Sequence, residues 1–328
     1  MKITGKILAC CVAAFLAAQS LKAQSLESSF EFLRLPVSAH NSSLGGHVVS
    51  AYDPSPVLFI TNPALLSANQ NRLLGLNAMS WFSGTTVAGA QFSNIFDERS
   101  HYAFNARYVS YGKMKETSAD GTVTGTFTSK DIAIGATWSY LLTDNLSGGV
   151  TGNIITSRYG SMTSVAIGVD LGLLWYNENG LSIGLAATNL GGQIKAFENQ
   201  FQKLPFDICA GLTWQPSHAP LRFTLSCDNL TRWDESDFYF AENEKAGFSE
   251  ILKRHISLGA DINLTERFYI ALGCNLRTHA EMAGKGSKGF TGMSIGTGLR
   301  LGKVMFDISY GKYQVSESSL ICNFAFNI

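Results

Sequence analysis

The chain has no internal run of about 18 apolar residues, so no part of it can cross a bilayer as a helix. Charge is also scarce: Asp, Glu, Lys and Arg make up 15% of the 328 residues, where a soluble domain carries about 25%. Neither sign dominates, with 25 basic and 25 acidic residues and no basic tract, which excludes nucleic acid as a natural partner. The six cysteines match no CxxC or zinc spacing. The histidines, His40, His47, His101, His218, His255 and His279, show no HxxxH or HxH spacing, so neither a metal nor a cofactor is indicated. Disorder is excluded by a hydrophobic content of 45% and an aromatic content of 11%. What remains is a glycine- and aromatic-rich, charge-poor chain without a spanning helix, and that combination suits a large β-barrel.

The first residues read as a targeting signal. Lys2 and Lys6 precede an apolar stretch from Ile7 to Leu21, and Ala23 offers a small residue for cleavage before Gln24. A lipoprotein signal at Cys10 is disfavoured, because the apolar stretch would lie almost wholly after the cysteine. Removal of residues 1–23 takes away Lys2, Lys6 and Lys22 and leaves 22 basic against 25 acidic residues, a net charge of −3. Four cysteines stay in the mature chain: Cys209, Cys227, Cys274 and Cys322. Each sits in an apolar-rich stretch, which favours free thiols packed as small apolar groups over two disulfides.

From residue 71 onward the sequence alternates apolar with small or polar residues, and a period of two sends successive side chains to opposite faces of a sheet. Leu320, Cys322, Phe324, Phe326 and Ile328 share one face, opposed by Ser319, Asn323, Ala325 and Asn327, with Ile321 the exception. Ile132, Ile134, Ala136, Trp138 and Tyr140 likewise oppose Asp131, Gly135, Thr137 and Ser139. A soluble sandwich would carry many Lys and Glu on its polar face. Here that face is mostly Gly, Ser, Thr and Asn, the lining of a lumen, with the apolar face left for lipid.

Fourteen strands are predicted: 71–79, 84–92, 100–110, 127–142, 145–157, 162–175, 181–190, 204–215, 220–230, 252–264, 267–277, 290–301, 303–313 and 318–328. The expected fold is therefore all-β: a transmembrane outer-membrane β-barrel of about 14 antiparallel strands spanning residues 71–328. Connections 111–126, 191–203, 231–251 and 278–289 are long and fall on one side, while those on the other side are short, the asymmetry of outer loops against inner turns. Trp81, Trp138, Tyr140, Trp175, Tyr176, Trp214 and Tyr310 lie near strand ends and suit either interfacial girdles or internal packing.

Residues 24–70 break the texture. They hold Pro36, Pro54, Pro56 and Pro63, four of the seven prolines, and proline cannot donate to a central ladder. The apolar residues Phe30, Phe32, Leu33, Leu35 and Val57–Ile60 need a surface, so this segment is expected to sit in the lumen as a plug; the other reading is a loose periplasmic tail. Gly45-Gly46 suits positive φ or close backbone approach. Asn62-Pro63 suits a turn, and Ala64 to Ser67, with Leu65 and Leu66 between them, suit the start of a short helix with Pro63 at its first position; the other reading is an ordinary surface turn.

The order Phe32-Leu33-Arg34-Leu35-Pro36, Leu44-Gly45-Gly46, Asp53, then Asn62-Pro63-Ala64-Leu65-Leu66 ahead of a glycine-rich barrel resembles the FadL-like outer-membrane family. Within that family it is similar to the PorQ-like, PorV-related group of the type IX secretion system, which Leu185-Ala186-Ala187-Thr188-Asn189-Leu190-Gly191 also fits. The resemblance implies a plugged barrel in the outer membrane of a Gram-negative bacterium. It also implies a non-enzymatic role in protein secretion, holding a secretion or cell-surface attachment partner through the extracellular loops. Outer-membrane lipid and other type IX secretion proteins would be its partners. The alternative within the same family is a FadL-like channel for hydrophobic small molecules.

Catalytic patterns are weak. Gly292-Met293-Ser294-Ile295-Gly296 matches GxSxG but lies inside an alternating strand, without the strand–turn–helix setting a nucleophile elbow needs. Gly284-Lys285-Gly286-Ser287-Lys288-Gly289 matches GxGxxG without a strand-to-helix transition and reads as a flexible outer loop. In the 231–251 connection, Asp234, Glu235, Asp237, Glu242 and Glu244 stand beside Trp233, Phe238, Tyr239 and Phe240. Such a run is either a solvated face or a docking surface for a partner.

Overall fold

One polar and one apolar face on each strand leave two ways to hide the apolar side, and this chain turns it outward. The computed structural model describes residues 29–328 apart from 53–56, 68–69, 198–200, 218, 241–246, 283–288 and 316. The expected signal peptide, Asp53, His218, Glu242, Glu244 and most of the Gly284–Gly289 run lie outside the described residues. The strands are β1 (Leu73–Ser80), β2 (Thr86–Ile95), β3 (Ser100–Thr117), β4 (Val123–Thr143), β5 (Leu146–Tyr159), β6 (Met162–Tyr176) and β7 (Leu181–Lys195). They continue as β8 (Asp207–Trp214), β9 (Leu221–Cys227), β10 (Ile256–Thr265), β11 (Phe268–Asn275), β12 (Met293–Leu301), β13 (Val304–Gly311) and β14 (Ser319–Asn327). Neighbours in sequence pair antiparallel, and β1 pairs with β14 from Leu73↔Asn327 to Ser80↔Leu320, so the ring closes and leaves no sheet edge.

The two faces follow the alternation. Leu74, Leu76, Phe104, Tyr108, Ile134, Ile154, Ile167, Leu185, Phe306 and Phe324 are exposed, while Asn77, Asn105, Thr137, Thr151, Thr224 and Asn323 are buried. A continuous apolar exterior around a polar interior is stable only where the outside is hydrocarbon. Trp138, Tyr140, Trp175 and Trp214 form an exposed aromatic ring toward the β1 start and the chain terminus, and Tyr310 is exposed near the opposite end. Trp81 and Tyr176 instead pack against internal apolar clusters, so the strand-end aromatics divide between the two roles. All four cysteines are free thiols, with Cys209 buried on the inner face.

The strand order matches the expected one throughout, and the boundaries differ where local chemistry overrides pattern. The predicted 111–126 loop is mostly strand: β3 and β4 continue as a hairpin, with Met114↔Phe127 and Lys115↔Thr126. The β-branched residues Thr122, Val123, Thr124, Thr126 and Thr128 favour that extension. A register shift beside Gly112 (φ 73) starts it, and Gly121 (φ 84) turns it. At its tip, Ser118 donates to Asp120, which also accepts from Thr122 N at 3.0 Å, and these bonds hold the Asp120 carboxyl below its ordinary range. The predicted 267–277 strand stops at Asn275, whose Oδ1 accepts from Thr278 N at 2.9 Å and opens a helix, Leu276–Met282. The predicted 252–264 strand begins later, because Phe248–Lys253 is helical. Connections at one end include 196–206, 228–255, 276–292 and 312–318; those at the other, such as 144–145, 266–267 and 302–303, are tight turns.

Candidate functional site: a lumen and its leading segment

Residues 29–52 and 57–67 run along the inner face of the wall and touch strands around most of its circumference. Phe30 and Phe32 join Met79, Val87, Val109, Ile155, Leu204 and Ile321 in one buried cluster toward the outer end. The buried guanidinium of Arg107 on β3 donates from Nη1 to the carbonyls of Phe32 and Leu33 at 3.1 and 3.2 Å. A short helix, α1 (Ala39–Ser43), is capped by Ser38, whose side chain accepts from Asn41 N at 3.2 Å, and lies against β11 to β14. There Asn323 Nδ2 donates to Val37 O at 3.2 Å. Further on, Val49 meets Ala186 and Cys209, Leu58 and Leu65 meet Leu174, and Phe59 and Leu66 meet Ala103.

The motif residues sit at the tightest approaches. Gly45 (φ 98) and Gly46 (φ 122) adopt the left-handed region that side chains resist, and Asn275 Nδ2 donates to the Gly45 carbonyl at 3.1 Å. Asn62 is fully buried and triply used: its Oδ1 accepts from Ala64 N at 3.0 Å, and its Nδ2 donates to Val49 O at 2.7 Å and Leu173 O at 3.2 Å. Pro63 starts the 3-10 turn Pro63–Leu65. Ser147 Oγ on β5 then donates to the Ala64 carbonyl at 2.8 Å. Ala64, Leu65 and Leu66 are buried; Asp53 lies outside the described residues.

The wall makes room for this turn by omitting side chains. A Cβ on Gly172 would stand 2.0 Å from Asn62 Oδ1 and 2.9 Å from Ala64 N. Gly172→Ala is therefore expected to displace the Asn62 cap. Amide exchange at Ala64 should quicken by about tenfold or more, since losing a buried hydrogen bond costs about 1–3 kcal/mol. Exchange unchanged at Ala64 would show that the turn does not depend on this contact.

Sequence reasoning missed the ionic centre of the lumen. Asp261 on β10 is fully buried, with Oδ1 2.7 Å from His40 Nε2 and Oδ2 accepting from Arg222 Nε at 2.7 Å. Arg222 Nη2 lies 3.0 Å from His40 Nε2, and the His40 ring lies 4.5 Å from the Tyr269 ring, whose hydroxyl donates to Asp307 at 2.8 Å. The group ties α1 to β9, β10, β11 and β13. The signal was present: Arg222, Asp261 and Asp307 are charges at inward positions of strands, and a buried charge requires a partner.

One cavity lies at each end of the barrel and a third beside the leading segment. At the outer end, Tyr111, Met114, Ser129, Asp131, Tyr159, Met162 and Phe197 are among the residues lining a space of about 420 Å³ with mostly apolar walls. Tyr111 donates to Asp131 Oδ2 at 2.5 Å at its edge. Inside, Leu35, Val37, His47, Arg107 and Cys209 help line a space of about 50 Å³ beside the leading segment. At the other end, Tyr52, Tyr176, Thr213, Pro216 and Arg222 border one of about 330 Å³, with Tyr52 stacked 5.5 Å from Tyr176.

The acidic–aromatic connection folds on itself. Arg254, fully buried, stands 4.0 Å over the Phe240 ring and donates to Tyr239 O at 3.1 Å, and Phe238 is buried against His255. Trp233 stacks 6.1 Å from Phe248 and donates to Leu230 O at 2.8 Å, and Asp234 N donates to Asp237 Oδ2 at 3.1 Å. Trp233, Asp234, Glu235 and Tyr239 are exposed. Ser294 Oγ, the centre of the GxSxG match, donates to the Ser43 carbonyl at 3.0 Å inside a strand and is a clasp on the leading segment rather than an elbow.

No protein-family model and no curated protein matches the chain. Among solved structures it is similar to the Ralstonia pickettii toluene transporter TbuX at 14% identity, with a TM-score of 0.60, over 90% of this chain and 100% of that one. The P. putida toluene transporter TodX follows at 13% identity and a TM-score of 0.57, over 90% and 99%. A Pseudomonas aeruginosa FadL homologue aligns at 11% identity with a TM-score of 0.53, over 90% and 99%. At such identities the likeness is one of fold. The closed 14-strand ring, its hydrocarbon-facing belt and this shared fold place the chain in the outer membrane of a Gram-negative bacterium.

Proposed function

We propose that the barrel passes hydrophobic small molecules across the outer membrane, with residues 29–67 acting as the plug they must move past. The observation that carries this reading is the apolar cavity of about 420 Å³ at the outer end of the barrel. A pocket of that size with a few convergent polar groups suits one small apolar ligand. Toluene-sized aromatics, the cargo of TbuX and TodX, are the first compounds to try. Met162→Trp fills the cavity from its rim. In cells depending on this protein for uptake, it is expected to lower the initial rate for labelled toluene about tenfold while leaving barrel assembly intact. Uptake equal to wild type in the folded variant would reject the cavity as the acceptor site.

A second reading, docking of a type IX secretion or surface-attachment partner, draws on the PorQ-like residues and on one observation. Trp233, Tyr239 and Phe248 are exposed together with Asp234 and Glu235 on the outer loops, a mixture found at interface cores and rims. Trp233→Ser with Tyr239→Ser is expected to abolish recovery of an outer-membrane partner in affinity purification. Unchanged recovery would remove this surface from consideration.

A further inference from the structure

We propose that the outer wall of β3, β4 and β5 carries a binding site for the phosphate groups of an outer-leaflet glycolipid, with Lys113, Lys115, Lys130 and Arg158 as its cations. The strand register puts the four on one face. Lys130 pairs with Ser110 on β3 and with Arg158 on β5, and Arg158 pairs in turn with Thr163 on β6. Lys113 pairs with Thr128 and Lys115 with Thr126, which lie two and four residues from Lys130 on the same strand. All four cations are exposed.

That face is the hydrocarbon-facing one. Below the cations, the next outward rows are Tyr108, Ile132 and Thr156, then Ala106, Ile134, Ile154 and Ile167. The row ends at the aromatic ring, with Tyr140 ten positions from Lys130 along β4. Ten residues span about 33 Å of strand. At a tilt of about 40° that is about 25 Å along the membrane normal, the height of a barrel's apolar belt. The cations therefore stand one belt height above the opposite interface, at the level of the outer headgroups.

Their arrangement asks for an anion. Lys130 and Arg158 are directly opposed like charges, a pairing that destabilises a sheet on its own. Among the described residues none of the four forms an ion pair with a carboxylate. The nearest acids in sequence, Asp131 and Glu116, fall on alternate positions, and Asp131 is buried toward the lumen. Arg158 Nε donates to Gly160 O at 3.1 Å, which steadies the guanidinium and leaves its terminal nitrogens for phosphate. Ser110, Thr128 and Thr163 add hydroxyl donors beside the cations. Several fixed cations directly above an isoleucine-rich wall match a lipid bearing more than one phosphate over acyl chains, and no soluble anion uses both halves.

The test titrates full-length protein in detergent micelles with bisphosphorylated lipid A and reads bound lipid by native mass spectrometry. Lys130→Glu with Arg158→Glu is expected to weaken binding at least tenfold, and fully dephosphorylated lipid A should bind wild type as weakly as lipid A binds the variant. Inorganic phosphate at the lipid's concentration should not displace it. Lipid A binding unchanged in the variant, or equal binding of the dephosphorylated lipid, overturns the proposal. Displacement by inorganic phosphate also overturns it, by making the cluster a general anion site. Heat-modifiable gel mobility verifies folding; should the charge reversal fail that check, Lys130→Gln with Arg158→Gln carries the same expectations.

Discussion

Asp261→Ala is expected to lower the unfolding free energy by about 3–5 kcal/mol, because it removes the carboxylate from a buried ionic group and keeps the Arg222 guanidinium. The group is fully desolvated: Asp261 has no exposed surface and His40 very little, and His40 Nε2 and Arg222 Nε each lie 2.7 Å from a carboxylate oxygen. Guanidinium unfolding in micelles, followed by tryptophan fluorescence, measures the loss. A drop below about 1 kcal/mol would mean that water or a neighbour replaces the carboxylate. The triple change His40→Leu, Arg222→Met and Asp261→Leu separates pairing from packing. It should cost far less than the single change, since an apolar set of similar volume leaves no uncompensated charge. The same experiment bears on the leading segment, because His40 lies in α1 while the other two belong to the wall.

Deleting residues 29–66 is expected to turn a closed barrel into a conducting one, with stepwise ion current in planar bilayers at least about tenfold above that of the full chain. A fourteen-stranded ring is wider than the eight-stranded barrels that their own side chains fill. Here the inner face supplies small residues where the segment lies, and nothing in the wall replaces Phe30, Phe59 or Leu65 once they are gone. Conductance equal to that of the full chain would show that the outer loops, rather than this segment, close the lumen. Phe30→Ala with Phe32→Ala provides a milder version that keeps every anchoring hydrogen bond of α1 and Asn62, and it should give a smaller rise.

Much of this architecture was legible from residue types. Strands such as Ser319–Asn327 alternate apolar with small or polar residues, Ile321 excepted, and that alternation chooses their faces. Boundaries were less legible where a capping side chain decided them. Asn275 ends β11 and opens a helix, although the apolar pattern continues into Leu276. The β3–β4 overhang was hidden because the register shift at Gly112 moves the alternation of β3 by one position and the residues beyond it are largely exposed and polar. The Gly45-Gly46 and Asn62-Pro63 pairs stood out as unusual backbone. What they touch could not be read, since Cys274, Leu173 and Ser147 approach them only after the ring has closed. The ionic centre was hidden for a related reason: His40 and Asp261 are separated by 221 positions, and nothing local links them.

The bare backbone at Gly172 and its neighbours has a consequence for how such chains can change. Where residues 62–64 rest against bare backbone at Gly149 and Gly172, the wall holds no side chain to trim. A bulkier residue in the wall has no room unless residues 62–64 retreat, and a different turn at 62–64 leaves a gap that a glycine cannot fill. Inheritance of these two stretches is thus expected to be joint: a natural variant that alters one should carry a compensating change in the other, and grafting the leading segment of one such barrel into another should fail unless the matching glycines travel with it.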